Sequence, residues 1–124
     1  MADVSHAPAG SPPIRTFSTG ATRDTAQGKL DYDGFFSPLV LKRRARYMHE
    51  HRVQADGTLR DSDNWQRGIP EEEYRKSTLR HLFEDWWPGA RGWPITVDIE
   101  DAACAILFNL EGWLHERLKR KLTL

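Results

Sequence analysis

Apolar residues fall into three blocks with helical spacing. In Pro38–Arg52, Leu41, Ala45 and Met48 form one line with Val40 beside it. Ser37-Pro38 supplies an N-cap and a proline at the first helical position. In Pro70–Trp87, Leu79, Leu82, Phe83 and Trp86 recur at i, i+3, i+4 and i+7. Pro70 followed by Glu71, Glu72 and Glu73 suits a helix start, because acids complement the positive end of the helix dipole. His81, Glu84 and Asp85 share the other side with Tyr74, Ser77 and Thr78, and Pro88-Gly89 is expected to stop the helix.

The third block, about Val97–Lys121, is apolar around most of its circumference, the mark of a buried helix. At about 100° per residue, Asp98, Asp101, Ala102, Ala105, Asn109, Gly112 and Glu116 share one narrow stripe. The acids and the amide on that stripe need a partner if buried, either a divalent cation or an Arg or Lys. Ala102, Ala105 and Gly112 leave room there, and a polar occupant is expected.

Between these blocks the pattern lapses. Met1–Phe17, rich in Ala, Ser, Pro and Gly, reads as a disordered or extended arm, and Ser18–Phe36 as a polar loop with little regular structure. Val53–Gly68 reads as a loop, with turn signals at Ala55-Asp56-Gly57 and Asp61-Ser62-Asp63-Asn64. The expected fold is all-α: a small helical hairpin or bundle with a long irregular N-terminal arm, residues 1–17, ahead of a single domain over residues 18–121. Three helices make a thin core for a chain with five Trp, so a homo-oligomer is expected to supply the missing layer.

Composition narrows the function classes. The 124 residues suit one domain, and 18 basic residues balance 18 acidic ones. Zero net charge argues against nucleic-acid or membrane-surface binding by bulk charge. The longest uncharged apolar run, Ala102–Leu110, is far short of a membrane span. The proline-containing N-terminus lacks the apolar core of a secretory signal, and one cysteine excludes a disulfide framework within the chain. A cytoplasmic protein is expected.

The candidate chemistry is acidic and nucleotide-like. Asp98 and Asp101, with Asn109 further along the stripe and Glu84 and Asp85 upstream, are candidate oxygen ligands for Mg²⁺ or Mn²⁺, with Co²⁺ as a further option. The simpler reading makes Asp98, Glu100 and Asp101 first-turn caps. Arg80 and His81 can bind phosphate or orient a carboxylate. Arg23 and Lys29, among glycines, can reach phosphates. Trp65 offers a stacking face and Asn64 a bidentate edge for a base, although Trp65 in a loop more commonly plugs a core. The basic run Lys42–Arg46 reads as a solvated face.

These pieces occur in a telling order: Gly20-Ala21-x-Arg23, Gly28-Lys29-x-x-Tyr32, Pro38, Asn64-Trp65-x-x-Gly68-Ile69-Pro70, Ser77-x-x-Arg80-His81, then Asn109 on a late helix. The series resembles the phage and bacterial dATP/dGTP diphosphohydrolase family of the N-terminal domain type. It also looks like a divergent relative of the MazG kind of all-α nucleotide pyrophosphohydrolase. The resemblance covers about Thr16–Leu118. It implies metal-dependent hydrolysis of purine deoxynucleoside triphosphates to the monophosphate and pyrophosphate, which in some phages serves replacement of adenine in DNA. It also implies metal ligands at Glu84, Asp85, Asp98 and Asp101, with His81, Glu84 and Asp85 as the catalytic group. Arg23, Lys29 and Arg80 would meet the phosphates, and Asn64 and Trp65 the base. The chain departs from the MazG pattern in one place: His81-x-x-Glu84-Asp85 stands where two glutamates three apart are usual. Two rivals remain: a non-catalytic helical module for a protein partner, and a small DNA-binding regulator using Lys42–Arg46.

Overall fold

The computed structural model describes residues 14–25 and 27–122, which divide after Ser37 into two units. It is predominantly helical, as the hydrophobic spacing requires.

In the N-terminal unit, β1 (Ile14–Thr16) pairs antiparallel with β2 (Thr22–Asp24), matching Ile14 with Asp24 and Thr16 with Thr22. Gly20, at φ +90°, supplies the left-handed residue of the tight connection. Within Ser18–Phe36 the described regular structure is the three-residue strand β2 and one helical turn, in keeping with the expectation of little. Thr16 and Thr22, as β-branched residues, suit the ladder. A one-turn helix, α1 (Tyr32–Phe35), follows, with Asp31 Oδ1 accepting from the Gly34 N–H at 2.9 Å. Of the arm expected over Met1–Phe17, residues 1–13 lie outside the described residues, as do residues 123–124.

The second unit begins with α2 (Pro38–Glu50). A loop with one 3₁₀ turn (Asn64–Arg67) leads to α3 (Glu71–Arg80). The chain then winds through a π turn (His81–Trp86) directly into α4 (Trp87–Ala90) and, after a short connection, into α5 (Ile99–Leu122). Asp98 caps α5, its Oδ1 accepting from the Asp101 N–H at 3.0 Å.

Pro88-Gly89 does not stop the helix. A proline inside an α-helix clashes with the carbonyl four residues back. Here the preceding turn is π-helical, with the Trp87 N–H reaching back five residues to the Leu82 carbonyl. The wider turn makes room for the ring, and helix continues to Ala90. Gly89 lets Ile95 and Ile99 pack closely: a Cβ there would lie 2.6 Å from Ile95 Cδ1 and 3.0 Å from Ile99 Cδ1, and both side chains would have to shift.

The core is thin and made of small residues. Tyr74, Ala102, Cys104, Ala105, Asn109 and Gly112 are the buried set. α5 packs on α3 and the π turn, with α2 also against it. Tyr74, 2% exposed, lies against Gly112, where any Cβ would overlap its ring, and it meets Phe108 edge-on at 6.0 Å. The room left by the small stripe is thus filled at Gly112 by a tyrosine ring rather than by a ligand. Burial, then the charge of Glu116, pushes the Tyr74 hydroxyl above its ordinary pKa.

Two helix faces are turned relative to expectation. On α3 and the π turn, Tyr74, Ser77, Thr78, His81 and Asp85 are covered, while Leu79, Phe83, Trp86 and Trp87 remain exposed. On α2, Leu41 is 65% exposed, whereas Arg43 and Arg44 are half-buried. The expected solvated face of Lys42–Arg46 is therefore partly turned inward. The reason is charge: Arg43 and Arg44 meet acids on α5, and that pairing sets the rotation of α2.

Candidate functional site

A cavity of about 550 Å³ opens in the second unit. It falls in the size range of small-molecule sites. α2 contributes Tyr47, Met48 and His49; the following loop contributes His51, Arg52, Arg60, Asn64 and Trp65; α3 and the π turn contribute Ser77 and His81; α5 contributes Phe108 and Asn109. Four residues selected from the sequence, Asn64, Trp65, His81 and Asn109, therefore share one wall-to-wall space.

Trp65 rides on the 3₁₀ turn and packs edge-on against His115 at 4.7 Å between ring centroids. The contact holds the indole half-buried at the cavity wall, so Trp65 serves packing and lining together. Among the described residues no side-chain hydrogen bond engages the Asn64 carboxamide, which stays available to a ligand. Asn109 is anchored instead: its Nδ2 donates to the Ala105 carbonyl at 2.7 Å, one turn back on α5.

His81 and Asp85 are one helical step apart on the π turn, with Nδ1 3.2 Å from Asp85 Oδ2. A carboxylate accepts only, so this bond places the proton on Nδ1 and leaves the Nε2 lone pair to accept one. The i,i+4 spacing places the two on one face, and they lie on a π turn, a feature that recurs at functional sites. Glu84 lies on the same turn but is exposed and does not line the cavity.

The α5 acids have another partner. Arg43 Nε donates to Glu100 Oε1 at 2.8 Å, and its Nη2 to Asp101 Oδ1 at 2.7 Å. The same Nη2 lies 3.5 Å from Asp98 Oδ1. These acceptors, Asp101 foremost, hold the Arg43 proton more firmly than usual, against a small opposing effect of burial. Burial, with the charges of Asp101 and Cys104, raises the Tyr47 hydroxyl, and burial also raises the Cys104 thiol. Of the two partners open to the acidic stripe, an arginine is the one in place. Among the described residues, no three His, Cys, Asp or Glu side chains are grouped to hold a metal ion. Glu84, Asp85, Asp98 and Asp101 thus do not form a joint ligand set here, and no step below is drawn through a metal.

The phosphate candidates fall in different units. Arg23 on β2 and Lys29 beside Gly28 belong to the N-terminal unit. Arg80 closes α3, is exposed and does not line the cavity. The cavity's own guanidinium groups are Arg52 and Arg60, which sequence reasoning missed. Their signal was present: they flank Val53–Leu59 symmetrically around the Asp56-Gly57 turn. Comparison of the chain with protein-family models, curated proteins and solved structures gives no match. The resemblance stated above therefore rests on its motif residues alone. No described helix is long and apolar enough to cross a membrane.

Proposed function

We propose that the cavity binds a purine deoxynucleoside triphosphate and that the chain hydrolyses it to the monophosphate and pyrophosphate. The carrying observation is the meeting of Asn64, Trp65, His81 and Asn109 around one space that also holds two arginines. Trp65 gives a base a π-face, and Asn64 gives it a paired donor and acceptor. In the hydrolytic step a water oxygen bonds to the α-phosphorus. The bond from that phosphorus to the α–β bridging oxygen breaks, and pyrophosphate leaves. His81 Nε2 takes the water's proton, while Asp85 steadies the imidazolium that results. A cytoplasmic setting suits that substrate.

Mg²⁺, Mn²⁺ and Co²⁺ enter the proposal as the cofactors the resemblance implies. The test is a panel of natural nucleoside triphosphates with each ion, scored for pyrophosphate against orthophosphate. Pyrophosphate from dATP or dGTP is expected; orthophosphate alone, or no turnover, overturns the reading.

We also propose a homo-oligomer. Leu107, Leu110, Leu114 and Leu118 run as one exposed apolar stripe along α5. A second copy is the occupant that fits, because the stripe carries no charge and the chain's net charge is zero, so two copies do not repel. Sedimentation at low micromolar concentration is expected to show more than a monomer, and a monomer alone would remove the proposal.

A further inference from the structure

The segment between α2 and the 3₁₀ turn is a small hairpin. Val53 bridges Leu59 in antiparallel fashion, the Gln54 N–H donates to the Thr58 carbonyl at 2.8 Å, and the Gly57 N–H to the Gln54 carbonyl at 2.9 Å. Gly57 sits at φ +85°, the left-handed residue that closes such a three-residue loop. Asp56 Oδ1 accepts from Thr58 Oγ1 at 2.6 Å and from the Thr58 N–H at 3.0 Å. The turn is thus fixed by its own side chains.

At its open end Arg52 and Arg60 face one another. The Arg60 N–H donates to the Arg52 carbonyl at 2.7 Å, and Arg52 Nε returns a bond to the Arg60 carbonyl at 2.9 Å. Residues directly opposite across an antiparallel pair project to the same side, about 5 Å apart at Cβ, and like charges placed so are destabilising. Among the described residues no carboxylate pairs with either guanidinium. The one acid beside them on the cavity wall, Asp61, is held by Arg67 at 3.2 Å. The hairpin backbone therefore brings two arginines side by side, the Arg52 side chain held and the Arg60 side chain free, on the wall that also carries His49 and His51.

We infer that this hairpin is a phosphate cradle: Arg52 and Arg60 bind the phosphate chain of the ligand whose base meets Trp65. The inference rests on the nucleotide reading for its ligand, but its chemistry is that of a polyanion and can be tested without a base. Arg52 spends one N–H on the hairpin and keeps its terminal nitrogens for the anion. A guanidinium fork matches phosphate oxygens two at a time. The extra charge on a triphosphate over a monophosphate supplies selectivity for the longer chain.

The experiment is calorimetric titration of the full chain with inorganic tripolyphosphate, dATP, dAMP and deoxyadenosine. Wild type is expected to bind tripolyphosphate and dATP more tightly than dAMP. Arg60→Ala, whose side chain makes no bond within the hairpin, is expected to weaken tripolyphosphate and dATP about tenfold or more, at the scale of a charged hydrogen bond. Its unliganded melting temperature should not fall, because a like-charge contact is relieved, and its binding of deoxyadenosine should not move. Arg52→Lys keeps the charge and loses the fork, so a smaller loss is expected. Wild type that ignores tripolyphosphate, or a folded Arg60→Ala that binds it as wild type does, overturns the cradle. Tripolyphosphate binding lost in Arg60→Ala, with no competition from dATP, keeps the cradle and sinks the nucleotide reading.

Discussion

Arg43 meets three carboxylates; Arg52 and Arg60, in the same unit, meet none among the described residues. The first group joins α2 to the start of α5, where three acids share one guanidinium and also sit at the positive end of the helix dipole. In the second, the hairpin backbone sets the two arginines side by side, one carbonyl holds Arg52 Nε, and no carboxylate answers either charge among the described residues. The contrast teaches where to look for a ligand. Charge density does not mark a site, because a dense cluster can be self-sufficient. Like charges set side by side without a carboxylate do, since an anion is the partner their fork geometry still lacks.

The sharpest way to break this contrast is through the proton acceptor that belongs to the open side. His81→Gln is expected to lower turnover of dATP by about 10²–10⁴-fold, the usual worth of a positioned general base. Affinity for dATP should stay near wild type, because the imidazole acts on the reacting water. Single-turnover kinetics beside calorimetry separate the two effects, and a loss of affinity alone would contradict the assignment.

Trp65→Ala comes next. Loss of one stacking face is worth about 1–3 kcal/mol, so dATP and deoxyadenosine should both weaken while tripolyphosphate is unaffected. That pattern is the mirror image of the one expected for Arg60→Ala.

Arg43→Met tests the closed side. Three neighbouring carboxylates would lose their shared counter-charge, and the melting temperature is expected to fall by several degrees at low salt and by less at high salt. Tripolyphosphate affinity should not change. A variant that melts like wild type but binds tripolyphosphate poorly would reverse the roles given to the two arginine groups.

The smallest effect concerns the hairpin turn. Hydrogen bonds from Thr58 hold the Asp56 carboxyl below its ordinary range. A depressed pKa in the folded state gives stability that is present above the unfolded value, about 3.9, and lost as pH falls through the folded value. Acid should therefore loosen the hairpin of the wild type, and the loss on acidification should be smaller in Thr58→Val, where Asp56 titrates nearer its ordinary value and less of that pH-dependent stability exists.

Much of the helical frame was legible. Ser37-Pro38, the run Pro70-Glu71-Glu72-Glu73 and Asp98 each mark a helix start by local chemistry, and local chemistry needs no tertiary information. Pro88 misled because its rule assumes an α-turn before it, and the turn is π. The facing of α2 and α3 misled because counting apolar positions ignores what lies opposite. α5 offers small residues and acids, so it attracts Tyr74 and the arginines in place of leucines.

The site divides in the same manner. Asn64, Trp65, His81 and Asn109 were legible as residue types in a family-like order. The four carboxylates expected as joint metal ligands came from helical spacing and the family pattern, and neither reveals that Arg43, from another helix, reaches three acids at the start of α5. Arg52 and Arg60 were missed because they become neighbours only after the chain turns back at Gly57.

The most direct test follows the indole N–H resonances of the five tryptophans by ¹H–¹⁵N correlation during a dATP titration, with Trp65→Phe assigning one of them. The account predicts that the Trp65 resonance moves first and furthest, while Trp93, exposed beneath the Arg91 guanidinium, stays in place. A saturable shift at other tryptophans with Trp65 unmoved, or no shift at all, would contradict it.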